Sequence, residues 1–250
     1  GDAAANAETS YFYTDGNSRL GKLLAEGLDM RREQRVVALR HDTGRWQLTG
    51  DQGQFLGEAD IVLLTPPAPQ IVDILAASDL AEEVRGALTT ELGRARYRRC
   101  LSLALAYDRL VARPFYALLN SDRQHPISWL ALEHAKGVER CPPGHSLLIA
   151  QMAAQWSSDN YELPLEQLAP QIATLAGELL GEDLDTPLWI DLQRWRYSQP
   201  DSGCDFAALN DLGAPHGLFF AGDFTAGRGR IHLAIEQGWQ VASRITAPTA

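Results

Sequence analysis

LFFAGDFTAGRGRIHLAIEQGWQVASRI, residues 218–245, decides how the rest of the chain is read. It falls into three pieces. Leu218, Phe219, Phe220 and Ala221 make an apolar run of the length of a buried strand. Residues 222–229 are a glycine-rich turn. From Ile231 onward, apolar or small residues at Ala234, Ile235, Gly238, Val241, Ala242 and Ile245 recur at three- and four-residue steps, the period of an amphipathic helix. Strand, tight turn and helix in that order aim unpaired backbone N–H groups at one point in space. Asp223 stands where the strand ends. The dinucleotide fingerprint is not met: His232 takes the place of its third glycine, and the acid precedes the helix instead of following it on a second strand. A carboxylate in this place repels phosphate but accepts hydrogen bonds from sugar-type hydroxyls, while the helix N–H groups face the phosphate side. Gly222 lets the backbone approach a ligand closely.

Composition narrows the partners. The chain has 250 residues, enough for one large or two small domains. Its hydrophobic share of 45% is ordinary for a globular protein, and its formal charge is −10. That balance argues against nucleic acid and anionic membranes, which both need concentrated Lys and Arg. Arg94, Arg96, Arg98 and Arg99 alternate through a strand start and read as a solvated edge. Cys100, Cys141 and Cys204 lack ligand spacing, so neither a disulfide framework nor a metal site is expected. No apolar run reaches a membrane span and no leader opens the chain, so a cytoplasmic location is expected.

Along the chain, Asp15–Asn17 mark a turn, residues 1–10 read as frayed, and Ser18 is expected to cap a short helix. Arg35–Leu39 and Arg45–Thr49 read as a hairpin. Ala59–Thr65 is a near-continuous apolar run, as in a strand covered on both faces, and Pro66 and Pro67 end it stiffly. Gln70–Leu92 is mainly helical. Three strands follow, around Leu101–Leu105, Ile127–Glu133 and Ser146–Met152, with Trp156 opening a loop. Leu165–Leu180 is an amphipathic helix stopped by Gly181. Trp189–Tyr197 is a strand, and Pro200–Pro215 a loop. No Ser/His/Asp order, no HExxH helix and no phosphate loop stands out. The pairs Glu82–Glu83 and Asp183–Asp185 read as solvated surface, so hydrolase chemistry has no support.

The apolar strand, Gly222-Asp223, glycine turn and terminal helix resemble the C-terminal flavin motif of FAD-dependent amine-oxidase-like enzymes. Residues 36–48 (VVALRHDTGRWQL), 59–70 (ADIVLLTPPAPQ), 127–137 (ISWLALEHAKG) and 189–200 (WIDLQRWRYSQP) narrow the resemblance to the renalase-like branch. It implies a mixed α/β fold: an FAD-binding α/β domain (1–78 and 192–250), incomplete because the N-terminal βαβ unit is lacking, plus an antiparallel-sheet substrate domain (79–191). It further implies FAD as cofactor, held by Val36, Pro66, Trp195, Gly222, Asp223, Arg230 and Ile231. Trp129, His134 and Trp156 are candidates to line a substrate cavity, with core packing as the plain alternative for each. The implied activity is hydride transfer from a small amine- or nicotinamide-type substrate to the flavin, reoxidised by oxygen or another acceptor. The βαβ unit would lie outside this stretch of sequence, be removed, or be supplied by a second chain or copy. His232 and Leu233 stand where the family usually has an acid and a glycine. They motivate the alternative, a cofactor-free member acting as an interaction subunit.

Overall fold

The computed structural model describes residues 11–136 and 140–246. The frayed opening read from residues 1–10 lies outside them, as does Gly137 of the central motif. Helix α1 (Ser18–Leu24) follows the Asp15–Asn17 turn. Asn17 holds the N-cap position and no side-chain cap bond forms, so Ser18 is the first helical residue and not the cap. Strands β1 (Val36–Asp42) and β2 (Arg45–Gly50) form the expected antiparallel hairpin, and β3 (Phe55–Ala59) joins them. The run 59–65 is therefore divided. Ala59 ends β3, and only Val62–Leu64 form the next strand, β4. Helices α2 (Ala68–Ala76) and α3 (Glu82–Leu92) follow, parted by a turn. Then come β5 (Arg96–Tyr107), β6 (Ala117–Leu119), β7 (Ile127–Leu132) and β8 (Ser146–Met152). Trp156 sits in a short helix, α4 (Ala154–Asp159), where a loop was expected. Helix α5 (Leu165–Leu180) ends as read, with Gly181 at φ 62° in the left-handed region that glycine adopts without strain. The last elements are β9 (Trp189–Ser202), α6 (Phe206–Gly213), β10 (Leu218–Phe220), the single turn α7 (Asp223–Ala226) and α8 (Ile231–Thr246).

The chain divides into two compact units: the described residues of 1–31 and 99–195, and those of 32–98 and 196–246. In the first unit the antiparallel order is β6-β7-β8-β5-β9. Burial alternates along β5 with the period of a strand, so Leu101, Leu103, Leu105 and Tyr107 point into the core. They meet Leu168, Ile172 and Leu180 of α5. The second unit holds the β1-β2-β3 sheet and a two-stranded parallel sheet, β10-β4, in which Phe220 pairs with Leu64. Its core gathers Leu39, Trp46, Leu64, Ile71, Leu75, Leu88, Phe220 and Phe224.

Helix α6 falls inside the expected Pro200–Pro215 loop. Asp205 caps it, its carboxylate accepting the Ala208 N–H at 2.9 Å. The helix lies along the outer edge of β10. Asn210, fully buried, accepts the Phe220 N–H at 2.9 Å and donates to the Phe220 carbonyl at 3.0 Å. One side-chain amide thereby does for Phe220 what a neighbouring strand would do. Gly213 brings the helix equally close at Leu218, whose carbonyl oxygen would lie 2.3 Å from any Cβ added there. On the other side, β4 has no strand partner beyond β10 among the described residues, and its Ile61 and Leu63 neighbourhood is exposed.

Candidate functional site

Parallel strands of an open sheet present ligands at their carboxyl ends. Here β4 and β10 finish side by side, with the Ala221 N–H donating to the Leu64 carbonyl at 3.3 Å. Pro66 therefore leaves one strand end while Gly222 and Asp223 leave the other. The glycine turn contains a feature absent from the sequence reading. Residues 223–226 coil into α7, with the Thr225 hydroxyl donating to the Gly222 carbonyl at 2.9 Å. Phe224 is fully buried in the core and anchors this turn. Its carbonyl accepts the Cys204 N–H at 2.8 Å, which ties the turn to the end of β9. Gly222 is required by close approach, since an added Cβ would meet the Phe224 ring at 2.9 Å.

Asp223 is half-buried and does not stand alone. The Tyr97 hydroxyl, from the start of β5, donates to its Oδ1 at 3.0 Å. Burial raises the Asp223 pKa, while the Tyr97 hydrogen bond and the Phe224 backbone pull it back down. The Tyr97 phenol is pushed well up, by burial first and then by the charge of Asp223, with the Ala68 backbone at the start of α2 pulling it partly back. Tyr97 also meets Tyr197 edge-on, with ring centroids 5.5 Å apart.

A second close approach fixes the corner. Gly203 lies against the turn so tightly that a Cβ would come within 2.5 Å of the Phe224 carbonyl oxygen and 2.6 Å of the Gly227 Cα. Both contacts are backbone and neither yields cheaply. Gly203→Ala should therefore cost about 1–3 kcal/mol, read as a lower urea midpoint at unchanged slope. A midpoint equal to that of the wild type would show that the turn slides away at no cost.

The remaining cofactor candidates of this unit spread along its surface. Val36 is half-buried against the same core cluster as Phe224. Arg230 is exposed, its guanidinium donating to the Gly229 carbonyl at 2.9 Å. Ile231 opens α8 at 60% exposed. His232 is exposed and Leu233 half-buried. Trp129, His134 and Trp195 belong to the first unit. Trp195 is exposed and Trp129 half-buried. His134 is held at both ring nitrogens by the backbone, Nε2 facing the Val111 carbonyl at 2.9 Å and Nδ1 accepting the Leu147 N–H at 3.3 Å. Trp156 lines an open groove of about 530 Å³ with Pro126, Pro170 and Leu175. Among the described residues, no helix is long and apolar enough to cross a membrane, and no three His, Cys, Asp or Glu side chains gather as a metal site.

The sequence profile of the flavin containing amine oxidoreductases matches residues 3–246. The chain belongs to that family. Solved structures with the fold of these flavin-containing amine oxidoreductases include a protein provisionally assigned as a protoporphyrinogen oxidase from Exiguobacterium sp. 255-15. It is 19% identical at a TM-score of 0.67, over 92% of this chain and 52% of that one. A triple mutant of putrescine oxidase is 15% identical at 0.65, over 94% and 54%. Cyclohexylamine oxidase from Brevibacterium oxydans IH-35A is 14% identical at 0.63, over 92% and 52%. The chain thus spans about half the length of the solved structures it matches. The mixed α/β fold with antiparallel sheets is the one these structures share.

The family's flavin is a group that the corner fits on chemical grounds. A carboxylate offers about four acceptor sites to hydroxyls. Asp223 gives one to Tyr97, and a glycine beside it leaves the backbone bare. Tyr97, Asn210, Gly203 and Phe224 were not singled out from sequence. Only Tyr97 carried a signal: it is the aromatic residue set between Arg96 and Arg98 of β5, half-buried where both arginines are exposed.

Proposed function

We propose that this chain carries most of a renalase-like, FAD-dependent oxidoreductase. The reaction would take a hydride from a small amine- or nicotinamide-type substrate, leaving the substrate oxidised by two electrons. A bound flavin supplies the two-electron acceptor, and oxygen or another acceptor reoxidises it. The observation that carries this reading is the half-buried Asp223 carboxylate at the joint carboxyl end of β4 and β10. In it, Asp223 accepts hydrogen bonds from the sugar-type hydroxyls of FAD, and Gly222 and Pro66 shape the backbone beside them. Val36, Trp195, Arg230 and Ile231 complete the cofactor contacts. Trp129 and His134 are assigned to the substrate cavity. With both its nitrogens engaged, His134 would act there by shape and not as a proton carrier. A cytoplasmic setting belongs to the same proposal.

The partner proposed is a βαβ nucleotide-binding unit, carried elsewhere in the same protein or supplied by a second chain or copy. The support is the parallel sheet itself. Parallel strands are normally covered on both faces, yet Leu63 is 41% exposed and β4 has an edge without a strand partner among the described residues. The alternative, a cofactor-free interaction subunit, draws on the same surface together with Trp239 of α8, 69% exposed. The test is to equilibrate the purified chain with FAD, alone and with the βαβ unit of a family member. Visible flavin absorbance co-eluting with the chain in either arm is the expected result. Absence of flavin from both arms overturns the oxidoreductase reading. Leu233→Gly then separates the two ideas: flavin uptake only in that variant identifies a decayed site.

A further inference from the structure

Tyr97 lies on no segment that carried the flavin assignment, yet its hydroxyl reaches the one carboxylate that assignment depends on. Three observations bear on its role. The phenol donates to Asp223 Oδ1 at 3.0 Å. Its ring packs against the core cluster that holds Ala68, directly after the Pro66-Pro67 pair that leaves β4. Its ring is fixed from the side by Tyr197. One side chain therefore touches the two chain segments that leave the parallel strands, its hydroxyl on Asp223 at the start of α7 and its ring on the cluster that holds Ala68 at the start of α2. The hydroxyl contact fixes the aim of the carboxylate.

We propose that Tyr97 is a positioning residue for cofactor binding: its hydroxyl holds one oxygen of Asp223 on the protein side, so that the carboxylate keeps its charge and turns its remaining acceptor sites toward the hydroxyls of the ligand. This rests on the reading of Asp223 as a flavin contact. The groups facing the pair within the unit are few. Tyr197 meets Tyr97 edge-on, the Cys204 thiol, pushed up to about 11 by burial, stays neutral, and the Phe224 backbone pulls the Asp223 pKa down. The sign follows from the contact. The Tyr97 hydrogen bond lowers the Asp223 pKa against the burial that raises it, so removing the hydroxyl leaves burial less opposed and the carboxyl easier to protonate. A protonated Asp223 accepts ligand hydroxyls poorly.

The experiment compares the 250-residue chain with Tyr97→Phe, Asp223→Ala and the double variant, each with and without the βαβ unit of a family member. FAD affinity is followed by flavin fluorescence between about pH 4 and 8, and the Asp223 carboxyl is titrated by carbon-13 NMR without ligand. Tyr97→Phe should weaken FAD binding about two- to tenfold at neutral pH and move its acid loss to higher pH. In the Asp223→Ala background the second change should add nothing, because the group it acts through is gone. The NMR titration of Asp223 should shift upward in Tyr97→Phe. An unshifted titration, or equal weakening by Tyr97→Phe with and without Asp223, overturns the positioning role. If the titration shifts as expected while no variant binds FAD with the βαβ unit present, Tyr97 still positions Asp223 and the flavin assignment falls.

Discussion

Asn210→Ala should lower folding stability by about 2–6 kcal/mol, since it strands two buried backbone groups at about 1–3 kcal/mol each. The groups are the N–H and C=O of Phe220, which lies at 0% exposure and has no water to turn to. The same amide also donates to the Phe206 carbonyl at 2.9 Å, so the first turn of α6 loosens with it. Asn210→Asp isolates the donor half of the interaction. A carboxylate still accepts the Phe220 N–H, but it faces two carbonyl oxygens without a proton to offer. It should cost about as much as the Ala variant. Chemical denaturation of the three proteins checks both values. A loss under about 1 kcal/mol in Asn210→Ala would show that β10 repairs its edge by other means.

The second large effect concerns binding. Asp223→Ala should reduce FAD affinity about 10- to 150-fold, the loss expected for a hydrogen bond to a charged acceptor at about 1.5–3 kcal/mol. Asp223→Asn keeps the shape, and its amide oxygen still accepts from Tyr97. Its loss should fall between those of the wild type and the Ala variant. Stability moves the opposite way. The Asp223 pKa is raised in the fold, by burial first, so the native state holds this proton more tightly than the unfolded chain does. The stabilisation belonging to the protonated carboxyl is complete below about pH 3.9 and is lost as pH climbs through the raised native value. At neutral pH the ionised Asp223 is thus a net cost to the ligand-free protein. Asp223→Asn should be at least as stable there as the wild type, and the advantage should vanish in acid. Flavin titrations beside denaturation at two pH values test both halves. A variant that loses stability at neutral pH while binding FAD normally would contradict both.

Much of the fold was legible where local pattern and tertiary role agree. Ser146–Met152 alternates and is a strand with those bounds; residues 165–180 carry the helical period and a terminal glycine, and form that helix. The terminal helix runs from Ile231 to Thr246, one residue past the reading. The failures have a common cause. Residues 203–213 contain Gly203, Asp205, Asn210, Asp211 and Gly213, all poor helix formers in isolation. Yet Phe206–Gly213 is a helix because Asn210 and Gly213 are needed against β10, a partner invisible in the local sequence. The apolar run 59–65 misled because its period is the same for one strand or for the ends of two. At the site, Asp223 and Gly222 were readable from their place after an apolar strand. Tyr97, which lies 126 positions away, was not.

The amide clasp on β10 has one more implication, for how copies of this protein could stack. Head-to-tail filaments grow only when a molecule offers an acceptor flank and a donor flank together. A flank already sealed by a side chain cannot template the next copy. Any association through the parallel strands must therefore stop at the first added neighbour, giving closed pairs and never fibres.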